Sequence, residues 1–248
     1  MAKSMKPNER IIVALDVPNA SQARSVVAEL GKHVGAFKIG LELFAAEGPA
    51  FVKSLTDSGI RVFLDLKLHD IPNTVARAAG ELVKLDVWML NVHALGGKEM
   101  MMRTKSEVET VCADGKYRKP ILIAVTILTS SDSTTLAATG IDPDVDREVL
   151  RLADLANGSG FDGVVASPLE TGSIRSRNGD GFVIVTPGVR PFADPGTNET
   201  SDDQKRVMTP GRAVAAGSDY LVIGRPILNA PDRVRAVTEI QAQIAQIR

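Results

Sequence analysis

Cysteine is nearly absent. Cys112 is the sole one in 248 residues, which excludes an internal disulfide and any all-cysteine metal cluster and fits a reducing compartment. Cys112 itself reads as structural. Long apolar runs are missing too, and no stretch approaches the roughly 20 residues of a membrane span. The basic opening MAKSMKPNER is followed by an apolar run over residues 11–15 that stops at Asp16, too short for the core of a signal peptide. A surplus of either charge is also lacking: 29 Lys plus Arg against 30 Asp plus Glu leave a net charge of −1. That balance offers no electrostatic footprint for nucleic acid or an anionic membrane, so an anionic ligand must be bound by a local site. The expected location is the cytoplasm.

What is present is an ordinary globular composition, with 44% hydrophobic and 24% charged residues. Short apolar, β-branched runs recur at residues 11–16, 36–39, 61–67, 87–93, 121–128, 163–167, 182–186 and 220–223. Between them, segments such as 21–30, 74–85, 147–157 and 209–216 carry Ala, Val and Leu at helical spacing and open near Asn, Thr, Ser or Pro. This is the pattern of repeated βα units around a parallel sheet. An open doubly wound sheet is the alternative. Eight strands, a length near the roughly 250 residues of one barrel, and no GxGxxG turn after the first strand favour closure. The expectation is therefore an α/β fold, a single (β/α)8 TIM barrel of parallel strands, with residues 1–248 forming one catalytic domain. No repeat or low-complexity linker divides the chain. Residues 187–203 are long, rich in Gly, Pro and Asp, and aperiodic, which reads as a mobile loop over a site.

Active sites of such barrels lie at the C-terminal ends of the strands, so polar residues ending an apolar run are the informative ones. Asp16 ends the first run, Lys38 lies on the second, and Asp65-Leu66-Lys67-Leu68-His69-Asp70 ends the third. Asn91 and His93 lie on the fourth, and Thr129 and Ser130 follow the fifth. Side chains alternate across a strand, so Asp65 and Lys67 share a face with Phe63, opposite Val62, Leu64, Leu66 and Leu68. The helix-covered face is the more apolar, which turns Asp65 and Lys67 toward the barrel mouth, where Lys38 can meet them. Buried charge is costly unless paired, and a plain buried salt bridge is the bland reading of this group. A second feature is Gly224-Arg225 after the last strand. With Arg190 and Gln204 after the seventh, it makes a candidate phosphate pocket.

The segment DLKLHDIPNT, from Asp65 to Thr74, closely resembles the signature of orotidine 5′-phosphate decarboxylases. The resemblance runs along essentially the whole chain, through ALDV at 14–17, FKIG at 37–40, VTILTS at 125–130, TPGVR at 186–190, DQKRVMTP at 203–210 and VIGRPI at 222–227. It implies conversion of orotidine 5′-monophosphate to UMP and CO2, the last step of de novo pyrimidine nucleotide synthesis, with no metal and no cofactor. It also implies a charged tetrad of Lys38, Asp65, Lys67 and Asp70, with Lys67 stabilising and protonating the C6 carbanion. Asp70 and Thr74 are then expected to reach into the other subunit's site in a homodimer. Pro72 fits this, because it disfavours helical geometry at Ile71 and turns the chain away from its own barrel mouth. Asp16 and Lys38 would hold the ribose hydroxyls, and Thr129 and Ser130 would lie against the pyrimidine. Arg190, Gln204, Gly224 and Arg225 would grip the phosphate. The loop between Arg190 and Gln204 is several residues longer than the family usually shows.

His69 and His93 lack HxH, HxxxH or paired Cys/His spacing, so no metal site is expected there. Trp88, Met89 and the methionines at 100–102 read as packing, with a dimer interface as the alternative for the methionine run. A magnesium-dependent lyase acting on a sugar phosphate is the rival enzyme, because related barrels share a DxKxxD pattern. A non-catalytic phosphate-binding barrel is the rival from another class, and intact buried charges argue against it.

Overall fold

The computed structural model describes residues 5–191 and 208–247. Eight parallel strands close into a barrel in chain order. They are β1 Ile11–Ala14, β2 Ala36–Gly40, β3 Val62–Leu68, β4 Met89–His93, β5 Ile121–Val125, β6 Gly163–Val165, β7 Val183–Thr186 and β8 Tyr220–Ile223. Closure is made by β1, which pairs with β2 on one side and β8 on the other. The helices between strands are α1 Ala20–Leu30, α2 Leu41–Asp57, α3 Pro72–Val83, α4 Gly97–Gly115, α5 Ser133–Ala138, α6 Val145–Gly158, α7 Thr171–Asn178 and α8 Pro210–Ala215. Two more, α9 Arg225–Leu228 and α10 Arg233–Ala245, follow β8.

Local chemistry starts these helices where they start. The Asn19, Asp132, Asp144 and Asp232 side chains each accept a hydrogen bond from the backbone N–H three residues on, which satisfies a first-turn donor of α1, α5, α6 and α10. Pro72 and Pro210 sit at the first positions of α3 and α8, where a missing N–H costs nothing.

The period of two along the strands separates two apolar layers. Ile12, Ala14, Ala36, Phe63, Met89, Ile123, Val185 and Val222 fill the barrel interior. The alternate positions, among them Ile11, Val13, Val62, Leu64, Leu66, Leu90 and Val92, pack outward under the helices. Met100 and Met101 join that outer layer, fully buried, while Met102 is half exposed. Cys112 is free and buried in α4. Trp88 packs edge-on against Tyr220 at 5.1 Å, under Arg61, at the end of the barrel away from the strand C-termini. No described helix is long and apolar enough to cross a membrane.

Three strands end earlier than their sequence runs predict, among them the sixth, which stops at Val165 and not residue 167. The first stops at Ala14, not residue 16, and the fifth at Val125, not residue 128. A strand extends only as far as its neighbours offer partners, and β6, three residues long, ends its pairing with β5 at Val125. Asp16 and Thr129 therefore sit on loops at the rim. The loop predicted over residues 187–203 lies outside the described residues from 192 onward.

Candidate active site

The strand C-termini surround one cavity of about 290 Å³. Its floor is apolar, made by inward residues of the strands such as Ala14, Phe63, Val125, Val165 and Val222. Asp16, Lys38, Asp65, Lys67, Thr129, Ser130, Arg190, Gly224 and Arg225 stand around it. The sequence expectations for these nine positions thus converge on a single space. Because the strand order is sequential, the loop after β7 that carries Arg190 lies across the barrel from β3 and Lys67. The structure does not bring Asp70 and Thr74 to the cavity of their own chain. Both are exposed, and Asp70 accepts a hydrogen bond from the Ile71 N–H at 2.6 Å. Ile71 is extended at φ −59°, ψ 149°, as Pro72 requires, and the chain leaves the rim there. Gln204 lies outside the described residues.

Charge is concentrated at one point. Lys67 Nζ donates to Asp65 Oδ1 at 2.7 Å, and Lys38 Nζ stands 3.4 Å from Asp65 Oδ2 and 3.2 Å from Asp16 Oδ1. Among the described residues, Asp70 makes no ion pair with either lysine. The side chains of Lys38 and Asp65 are 12% and 11% exposed, whereas Lys67 is 32% exposed, so Lys67 is the cation that opens into the cavity. Burial by itself pushes the Asp65 carboxyl up. The charges of Lys38 and Lys67, with hydrogen bonds from Lys67 and Asn91, outweigh it and hold the group below the usual carboxylate range.

Lys67 shares the cavity with Asp65, as alternation along the strand expects, but the strand there is not regular. Leu64 pairs with Leu90 and Leu68 with Val92, so three residues of β3 stand opposite one of β4, Asn91. Lys67 sits in this bulge with φ 51°, a left-handed conformation that costs a non-glycine residue on the order of 1 kcal/mol. Asp65 and Lys67 both line the cavity, and the deformation of the strand falls at Lys67. Bulges are over-represented beside active sites. Neither the bulge nor the role of Asn91 within it was legible from the run of residues. Close packing also explains Gly224: a Cβ there would stand 3.1 Å from Asp16 Oδ2 and 3.4 Å from Ala14 Cβ.

His93 ends β4 beside this group, its ring stacked on His69 at 5.6 Å. Its Nδ1 is buried with no hydrogen-bond partner among the described residues. Burial, reinforced by the charges of His69 and Lys67, pushes His93 from 6.5 down to about 4. The unfolded chain takes up the proton near 6.5, the folded chain only near 4. The stability that neutral His93 confers is fully present above pH 6.5 and is lost as pH falls toward 4. Between pH 7 and pH 4, the urea-unfolding free energy of the native protein should fall by up to about 3 kcal/mol more than that of His93→Gln. Parallel losses in the two proteins would show that His93 carries no such linkage. No cluster of three or more His, Cys, Asp or Glu side chains suited to a metal ion occurs among the described residues.

The family model for orotidine 5′-phosphate decarboxylase / HUMPS proteins matches residues 9–240. An orotidine 5′-phosphate decarboxylase of Syntrophotalea carbinolica is 50% identical over 242 residues, covering 97% of each chain. One of Moorella thermoacetica is 49% identical, over 98% of this chain and 95% of its own. Among solved structures, the orotidine 5′-phosphate decarboxylase of Lactobacillus acidophilus superposes with a TM-score of 0.81 at 39% identity, covering 94% of this chain and 98% of its own.

Proposed function

Since the chain belongs to the orotidine 5′-phosphate decarboxylase / HUMPS family, we propose a mechanism in which it decarboxylates orotidine 5′-monophosphate with Lys67 as the group that meets the reacting carbon. The reaction itself is the decarboxylation step of pyrimidine biosynthesis, giving UMP and CO2. The observation that carries the residue assignments is the charged group of Lys38, Asp65 and Lys67 over an apolar floor, with Lys67 the most exposed of the three.

Heterolysis of the bond between C6 and its carboxylate leaves the electron pair on C6, in an orbital that the pyrimidine π system delocalises poorly. CO2 departs, and the pair must be met by positive charge and then by a proton. Lys67 Nζ supplies both and recovers its proton from solvent. A fixed cation aimed where negative charge develops lowers the barrier because it needs no reorganisation. Asp65 holds that cation in place through the 2.7 Å hydrogen bond. It also sets negative charge near the substrate carboxylate, a repulsion that ends when neutral CO2 leaves. Asp16 and Lys38 are assigned to the ribose hydroxyls, and Thr129 and Ser130 to the pyrimidine. Arg190 and the Gly224-Arg225 turn are assigned to the phosphate, across the barrel from the reacting carbon, together with Gln204. Binding energy gained at the phosphate holds C6 against Lys67.

We further propose a homodimer in which Asp70 and Thr74 complete the partner's site. Supporting this are exposed apolar residues just past the strand ends: Ile71, next to Asp70, is 67% exposed and Leu41, at the start of α2 after β2, 60%, surfaces that an isologous interface covers twice. The function is tested by following the absorbance of orotidine monophosphate with purified protein dialysed against EDTA. Turnover is expected to be unchanged by exhaustive chelation. Activity lost to EDTA and restored by magnesium would favour a sugar-phosphate lyase mechanism instead.

A further inference from the structure

Within β4, Asn91 is fully buried and faces the barrel interior between Met89 and His93. It is the one β4 residue opposite the three-residue bulge of β3. Its side chain has two different hydrogen-bonding ends, and both are used on that bulge. Oδ1 accepts from the Lys67 backbone N–H at 2.8 Å, and Nδ2 donates to Asp65 Oδ1 at 2.6 Å. The oxygen atom of Asp65 that Asn91 holds is the same one that receives Lys67 Nζ. A single amide therefore fixes the left-handed backbone of Lys67 and the carboxylate that orients its side chain.

Resting on the decarboxylase reading above, we propose that Asn91 is a positioning residue for the reaction, the clamp that sets Lys67 and Asp65 in one geometry. An apolar residue of the same size would fill the volume but leave the bulge unanchored. An aspartate would keep the acceptor for the Lys67 N–H and lose the donor to Asp65. The position is faced by Asp65 and Lys67 of β3, with Lys38 of β2 and His93 of β4 nearby, and β5 pairs Ile123 with it. A carboxyl introduced there meets burial and the Asp65 charge, which favour its protonated form, and the Lys38 and Lys67 charges, which oppose it but are already shared with Asp65. Once protonated it can donate where the amide did.

This gives Asn91→Asp a pH signature that a filler of space does not produce. At pH 8 its kcat is expected to fall on the order of 100-fold, the usual consequence of displacing a reacting group by about 1 Å, while UMP affinity stays within about threefold. Lowering the pH toward 5.5 should then raise its kcat about tenfold or more, with the native enzyme flat or falling over the same range. Asn91→Leu should be as slow at pH 8 and show no recovery. If Asn91→Leu fails to fold, the Asn91→Asp profile decides alone. Turnover within threefold of native in Asn91→Asp at pH 8 would overturn the proposal, and so would a parallel loss of kcat and UMP affinity without recovery at low pH. Native protein that turns over no orotidine monophosphate would contradict the decarboxylase reading itself, a result distinct from either.

Discussion

Lys67→Ala should lose orotidine monophosphate turnover by a factor on the order of 10⁴ or more while still binding UMP within about tenfold of native affinity. The size follows from removing two contributions at once. A charge aimed at a developing anion is worth roughly 10²–10³ in rate, and a positioned proton donor contributes typically 10²–10⁴. The persistence of binding follows from the layout of the barrel, because Arg190 stands on the loop across from β3 and is untouched by the change. The fold should survive, since Lys67 is a third exposed and Lys38 still faces the buried Asp65 carboxylate. Truncation does leave Asp65 with one cation fewer, so its carboxyl rises from the depressed position it now holds. Single-turnover kinetics with UMP titration measure both quantities. Turnover within a hundredfold of native would remove Lys67 from the role assigned to it.

The second large effect concerns the proposed shared site. Asp70→Ala and Lys67→Ala should each be inactive alone, yet mixing them under conditions of subunit exchange should restore activity. In such a heterodimer one site carries both defects and the other carries neither. Random mixing makes half of the dimers mixed, each with one intact site of two, so about one quarter of native activity per site should return. The geometry motivates this: Asp70 is exposed, bonds to the next backbone amide and makes no ion pair with Lys67 of its own chain. Absence of recovery, with exchange verified by native mass spectrometry, would place Asp70 in the service of its own subunit.

The eight strands were legible because β-branched runs with polar ends are a strong signal for buried parallel strands. Helix starts were legible where Asn, Thr, Ser or Pro opens a segment, as at Asn19, but the caps at Asp144 and Asp232 were not singled out. Asp65, Lys67 and Lys38 stood out because charge on an otherwise apolar strand demands a partner. The ends of β1 and β5 were less legible, since pairing stops where a neighbour stops, and the short β6 is not visible from within β5. The bulge at Lys67 was hidden for a related reason. A lysine with φ 51° is not announced by its neighbours in sequence, and the residue that stabilises it, Asn91, lies on the next strand. Asn91 and His93 were recognisable as polar residues in the barrel, but not as the hydrogen-bond partner of the β3 bulge and a half-buried ring held below its ordinary pKa.

The most direct test of the central claim, that Lys67 meets a carbanion at C6, is the exchange of the C6 hydrogen of UMP in D2O, followed by proton NMR. By microscopic reversibility the group that protonates C6 in the forward reaction removes that hydrogen from bound product, with no CO2 involved. The native protein should replace the C6 hydrogen of UMP with deuterium, and Lys67→Ala, saturated with UMP, should not. Equal exchange rates in the two proteins would contradict the account.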